Sequence, residues 1–272
     1  MKTWIRQHPI LAFLILNYAI SWSFLYPSYQ LILRHEAITP LSLIGLIGAY
    51  GPTIAAIAVQ WTIDKSALKA LLKKLLLVRC GWQAYLLVLL GPLLFYAAAQ
   101  AMAVLSSGGA LTVHLMVGLA ALPTALLLAL PFGPMGEELG WRGFMLPRLL
   151  ERFSPVQSSI LVGLAWGIWH LASFTFPGAA IPAFLPVNAA TIGLYCLNTV
   201  ALSLFFTYVH LKGRGSVFLA ILLHTFFNAA ASVIDKVLPG PEDVSVQTFA
   251  YAGNIVLVGA VSLWLLRRIR HV

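Results

Sequence analysis

Eight runs of apolar residues dominate the chain, at about 9–33, 40–63, 82–105, 115–132, 157–176, 189–210, 216–235 and 247–266. A helix that crosses a bilayer needs about 20 such residues, so eight spans use roughly 160. The composition supplies them: 60% of the 272 residues are hydrophobic and 9% are charged. A soluble domain has roughly 45–50% and 25%. A mean hydropathy of +0.90 requires an outer surface that faces lipid. The expected fold is all-α, a polytopic membrane helix bundle of about eight transmembrane helices forming one domain over residues 1–272. Lys2 and Arg6 precede the first run as they would in a secretory signal. That run is longer than a signal core of roughly 7–15 residues and no small-x-small site follows, so it reads as a retained span. Cys80 and Cys196 sit in unlike surroundings and build neither a disulfide framework nor a cysteine zinc site.

The formal net charge is +9, and its placement matters more than its size. With eight spans and both ends on one face, that face carries every one of the 17 Lys and Arg residues, Arg270 included, except Arg34 and Lys236. The positive-inside rule makes it cytoplasmic, with both termini inside the cell membrane, and explains the basic charge with no nucleic-acid partner. In Lys65–Arg79, Leu68, Leu71, Leu72, Leu75 and Leu76 recur at helical spacing between Lys65, Lys69, Lys73 and Lys74. This predicts an amphipathic helix on the inner membrane surface. Residues 115 to about 153 would form a helix of roughly 57 Å, too long for one straight span. Pro131, Gly133 and Pro134 predict a break, with one helix to about Leu130 and another from about Pro134 to Arg152. Such a broken fourth helix implies a cavity, because freed backbone at membrane depth must be covered by protein or water.

Three polar clusters interrupt the spans: Glu137-Glu138-x-x-x-Arg142, Trp166-x-x-x-His170 and His224-x-x-x-Asn228. Ionisable groups inside spans are costly and mark function. Each has a plain structural reading as well: a buried i,i+4 ion pair, a packing histidine, a contact to a neighbouring helix. Their depths agree, at about 15, 13 and eight residues from Arg152, Gln157 and Ser216, which predicts one level opening toward the cytoplasm. At about 100° per residue, Glu138 and Arg142 share a face and Glu137 points elsewhere. Gly136, Gly140 and Gly143 form a small-residue stripe opposite Glu138, suited to close helix packing. Glu138 with Arg142 is then the orienting pair. Glu137 is the free carboxylate, desolvated beside a second acid, as a general base requires.

Gly136-Glu137-Glu138-Leu139-Gly140-Trp141-Arg142-Gly143, continuing to Leu146-Pro147, together with the two later motifs, resembles the signature of the CPBP family. These are relatives of the type II CAAX prenyl protease, also called the Abi family. The resemblance covers about residues 120–232, with Trp166 where Phe is frequent. It implies an intramembrane endopeptidase acting on a membrane-associated substrate, CAAX-type, prenylated or otherwise lipid-modified. By the same resemblance Glu137 and His170 activate water, His224 and Asn228 stabilise the oxyanion, and Glu138, Arg142 and Trp166 orient the site. Glu137, His170 and His224 are also a candidate two-histidine, one-carboxylate Zn2+ set. The chain lacks a His-Glu-x-x-His helix, and a reaction without a cofactor is favoured, with Zn2+ the alternative. The competing classes are a bacteriocin self-immunity-type protective membrane protein and a proton-coupled transporter. His8, His35, His114, His210 and His271 read as residues without a site role, and Trp4, Tyr26, Tyr29 and Trp82 as interfacial anchors.

Reporter fusions test the threading. Fusions after His114 and after Phe184 are expected to report the outside, and one after Lys212 the inside. An outside signal at Lys212 contradicts it.

Overall fold

The computed structural model describes residues 2–269, and Arg270 and His271 lie outside the described residues. The chain runs α1 (Lys2–Gln7), α2 (Pro9–His35), a 3₁₀ turn (Leu41–Ile44), α3 (Gly45–Ala49), α4 (Gly51–Ile63), α5 (Lys65–Lys73) and α6 (Trp82–Ser106). It continues through α7 (Leu115–Ala129), α8 (Pro134–Glu138), a π-helical segment (Leu139–Met145), α9 (Leu146–Leu150) and α10 (Pro155–Trp169). The last three helices are α11 (Ala189–Lys212), α12 (Val217–Val237) and α13 (Val244–Arg267), and the described residues contain no strand. Six helices are long and apolar enough to cross a membrane, and two bent pairs raise the number of spans to eight. The protein is an integral, multi-pass membrane protein.

The span boundaries are legible because polar residues cap the helices. Ser154, Asn188, Ser216 and Asp243 precede α10 to α13, and each side chain accepts a hydrogen bond from a first-turn backbone N–H. Such caps satisfy donors that a helix leaves unpaired. Asp64 caps α5 in the same way through Ser66 N, at 2.8 Å. The amphipathic helix is shorter than its pattern suggests, ending at Lys73 with a 3₁₀ turn over Lys74–Leu76. Leu77 and Val78 are then held as a strap, their carbonyls accepting from Ser216 Oγ (2.7 Å) and Tyr85 Oη (2.6 Å).

The expected break at Leu130–Pro134 is present, and the two parts meet at 45°. A second break, of 53°, divides α3 from α4. Pro52 at the start of α4 lacks an N–H and crowds the preceding turn, which prevents one continuous helix. The two breaks pack on each other. A Cβ on Gly136 would lie 2.5 Å from the Ala49 carbonyl oxygen, and one on Gly140 2.6 Å from that of Pro52. Gly143 leaves the expected stripe and faces Val217 and Leu71 instead. The wider turn of the π-helical segment rotates it away, a distortion common at functional sites.

Two apolar clusters flank this region. One gathers Phe13, Trp141, Phe144 and Trp166, and the other Val88, Phe205, Phe206 and Leu223. From α2, Tyr18 Oη donates to Ala165 O (2.8 Å) and Trp22 Nε1 to Trp169 O (2.9 Å), binding the first span to the far end of α10.

Gly140→Val is expected to cost about 1–3 kcal/mol by overpacking and to lower the unfolding midpoint in detergent. Gly193, where a Cβ meets nothing within 4 Å, is the control, and Gly193→Ala should leave the midpoint unchanged or raise it. Equal midpoints for the two variants contradict the packing of the two breaks.

Candidate functional site

Every residue of the three polar motifs reaches one place, the seam between the two apolar clusters. Glu138 Oε1 accepts from Arg142 Nη1 at 3.1 Å and from His224 Nδ1 at 2.8 Å. Glu138 and Arg142 are fully buried. The Arg142 guanidinium lies over the rings of both Trp166 (4.5 Å) and Phe206 (4.2 Å), which offer it their electron-rich faces. Glu137 turns the other way, as helix geometry requires, and its Oε2 accepts from Trp166 Nε1 at 2.6 Å. His170 Nδ1 meets the Trp166 carbonyl at 2.9 Å. A carbonyl only accepts, so the proton is on Nδ1 and the His170 Nε2 lone pair is free.

Glu137, His170, His224 and Asn228 line a cavity of about 710 Å³. Gly133 holds open the point where Glu137, His224 and Asn228 meet. Its φ of +120° is one that glycine adopts readily, and a Cβ there would lie 3.1 Å from Glu137 Oε1, 3.8 Å from Asn228 Nδ2 and 3.9 Å from His224 Cε1. The missing side chain leaves space for a small polar group against a carboxylate oxygen and an amide donor.

The cavity's exposed rim includes Ile38, Leu43, Gly178 and Ala179, after the ends of α2 and α10, and also Phe132 and Asn228. His170 stands directly after the last turn of α10. Tyr29 is a cavity residue rather than an interfacial anchor, 3.3 Å from Ser173 Oγ. Tyr195 packs edge-on against His170 with ring centroids 5.2 Å apart. Neither tyrosine belongs to a motif, and an aromatic residue in an apolar run carries no signal of its own. His210 is buried, and its Nδ1 lacks a hydrogen-bond partner. It belongs to the packing, away from the cavity wall.

The zinc alternative has a geometric test. Among the described residues, no three His, Cys, Asp or Glu side chains converge as a ligand set. As placed, the side chains do not form a three-ligand Zn2+ site.

Residues 119–230, which contain all three motifs, match the family model described as type II CAAX prenyl endopeptidase Rce1-like. The chain is also 35% identical over 104 residues to a protein of Methanococcus maripaludis named CAAX prenyl protease 2. That match takes in 38% of this chain and 36% of the relative, so only about a third of the relative's length is represented. The matched stretch starts within α7 and ends within α12, leaving α1 to α6 and α13 outside it. Those outer helices still shape the cavity, through Tyr29 from α2 and Tyr251 from α13.

Trp166→Phe keeps the ring beside Arg142 and removes the N–H that holds Glu137. A hydrogen bond to a charged group contributes about 1.5–3 kcal/mol, so turnover should fall about 10–100-fold with the fold intact. Unchanged kcat would show that Glu137 needs no such anchor.

Proposed function

We propose that the chain is an intramembrane endopeptidase that hydrolyses a peptide bond in a membrane-associated, CAAX-type or otherwise lipid-modified substrate. The observation that supports this most is the convergence of Glu137 Oε1, Asn228 Nδ2 and His224 on the space left by Gly133. In this reading, water bound to Glu137 Oε1 and His170 Nε2 attacks the scissile carbonyl carbon and passes a proton to Glu137. The oxyanion receives hydrogen bonds from Asn228 Nδ2–H and His224 Nε2–H. Pre-set donors of this kind contribute heavily to rate. For His224 to donate from Nε2 as well as Nδ1 its ring must carry both protons, and the Glu138 carboxylate 2.8 Å away is the counter-ion for that form. The C–N bond then breaks as Glu137 returns its proton to the leaving amine, giving a carboxylic acid and an amine. Glu138, Arg142 and Trp166 touch no reacting atom and act by position.

The apolar cavity wall, with Leu25, Ile32, Leu46 and Phe132, suits a lipid tail or an apolar peptide segment beside the scissile bond.

Purified protein in bicelles, assayed with prenylated and unprenylated quenched peptides, tests the reading. Glu137→Gln, His170→Ala and His224→Ala should each abolish cleavage. Asn228→Ala should retain a residue, since one oxyanion donor accounts for about 10²–10³-fold. A strong chelator should leave the rate unchanged. Full activity in His170→Ala contradicts the water-activating role, and activity lost to chelation and restored by stoichiometric zinc makes the reaction metal-dependent.

A further inference from the structure

A second cavity, of about 740 Å³, opens at the basic end of the molecule, some 40 Å along α2 from the active-site rim by helix rise. Its walls come from the α1–α2 junction, from α5 and from the stretch after the π-helical segment. Two cations stand in it. Arg148 Nη1 donates to Phe144 O at 2.7 Å and Nη2 to Gln60 Oε1, its guanidinium resting 3.7 Å from the Phe144 ring centroid. Lys74 Nζ donates to Gly143 O at 3.2 Å, one bond for an ammonium that has three protons to give. Neither cation makes an ion pair with a carboxylate among the described residues. Arg152 adds a third positive charge and Glu151 is the one carboxylate in the walls.

Burial and the neighbouring Arg148 charge hold the Lys74 ammonium below the usual lysine range, with Glu151 a weaker opposing influence. Two partly desolvated cations pushing against each other are a cost that an anion between them removes. The rest of the wall is of another kind. Ile10, Leu11 and Leu14 on α2 and Leu71 on α5 are apolar, and Leu11 is exposed on the lipid-facing side of its span. Charge at one end and an apolar channel at the other match an amphiphile rather than a free ion. A soluble phosphate would satisfy Lys74 and Arg148 and leave the apolar wall bare. An acidic peptide would need acceptors along its length that this wall does not offer.

We propose that this cavity is a binding site for an anionic glycerophospholipid, with the phosphate between Lys74 and Arg148, Arg152 at the rim, and an acyl chain against Ile10, Leu11 and Leu14. The site is independent of the peptidase reading. Basic pockets between helices on the cytoplasmic side take anionic head groups, and each cation near the surface contributes about fivefold in affinity.

Native mass spectrometry of the detergent-purified full chain, incubated with equal phosphatidylglycerol and phosphatidylcholine, measures the preference directly. Wild type should retain phosphatidylglycerol over phosphatidylcholine by at least about fivefold. Lys74→Gln should lower that preference about fivefold, and adding Arg152→Gln should lower it further, while Lys74→Arg keeps it. These positions are chosen because Arg148 also braces Gln60 and Phe144, and an unchanged unfolding midpoint confirms that the variants remain folded. Lys236→Gln, on the opposite face, should have no effect. Equal retention of the two lipids by wild type, or an undiminished preference in the double variant, overturns the proposal. Displacement of phosphatidylglycerol by millimolar inorganic phosphate identifies a phosphate site and overturns the lipid assignment.

Discussion

One carboxylate oxygen, Glu138 Oε1, accepts from Arg142 at 3.1 Å and from His224 at 2.8 Å in a place that water does not reach. Charges buried at membrane depth persist only when paired, and removing one partner leaves another uncompensated. Glu138 therefore ties α8 to α12, and through them the broken span to the helix that carries both proposed oxyanion donors. The same contact sets the chemistry. It directs the His224 ring so that Nδ1 faces the carboxylate, leaving Nε2 for the cavity. Arg142, lying over the rings of both Trp166 and Phe206, also carries the linkage into both apolar clusters.

The breaks in the spans serve this arrangement. A continuous helix through residues 115–150 would carry Glu137 past the cavity on a regular spiral. The Leu130–Pro134 break instead begins a new helix four residues before Glu138 and leaves Gly133, at φ +120°, facing the carboxylate it frees. The cost of interrupting backbone hydrogen bonds is limited because the α3–α4 bend covers the interruption. The carbonyls of Ala49 and Pro52 lie against Gly136 and Gly140, where any side chain would intrude. Glycine is used here for closeness, not for flexibility.

Much of this is legible in the residues before any fold is known. Apolar run length marks the spans, and i,i+4 spacing separates Glu138 from Glu137. What is not legible depends on tertiary packing. Pro27, Pro92 and Pro123 sit inside continuous helices while Pro52 begins one, and no local rule separates the cases. The π-helical turn that moves Gly143 off its stripe is invisible to a fixed angle per residue. Tyr29 and Tyr195 carry no motif and enter the site only through the packing of α2 and α11 around His170.

The buried Glu138–Arg142 pair is the most direct point at which to test the linkage between fold and site. A double-mutant cycle on unfolding free energy in detergent, using Glu138→Gln, Arg142→Met and the double variant, isolates the coupling between the two charges. Each single change should cost about 3–5 kcal/mol, because it leaves the other charge uncompensated. The double variant should then cost no more than either one alone. Losses that simply add, or single variants as stable as wild type, would contradict a structure organised around this pair.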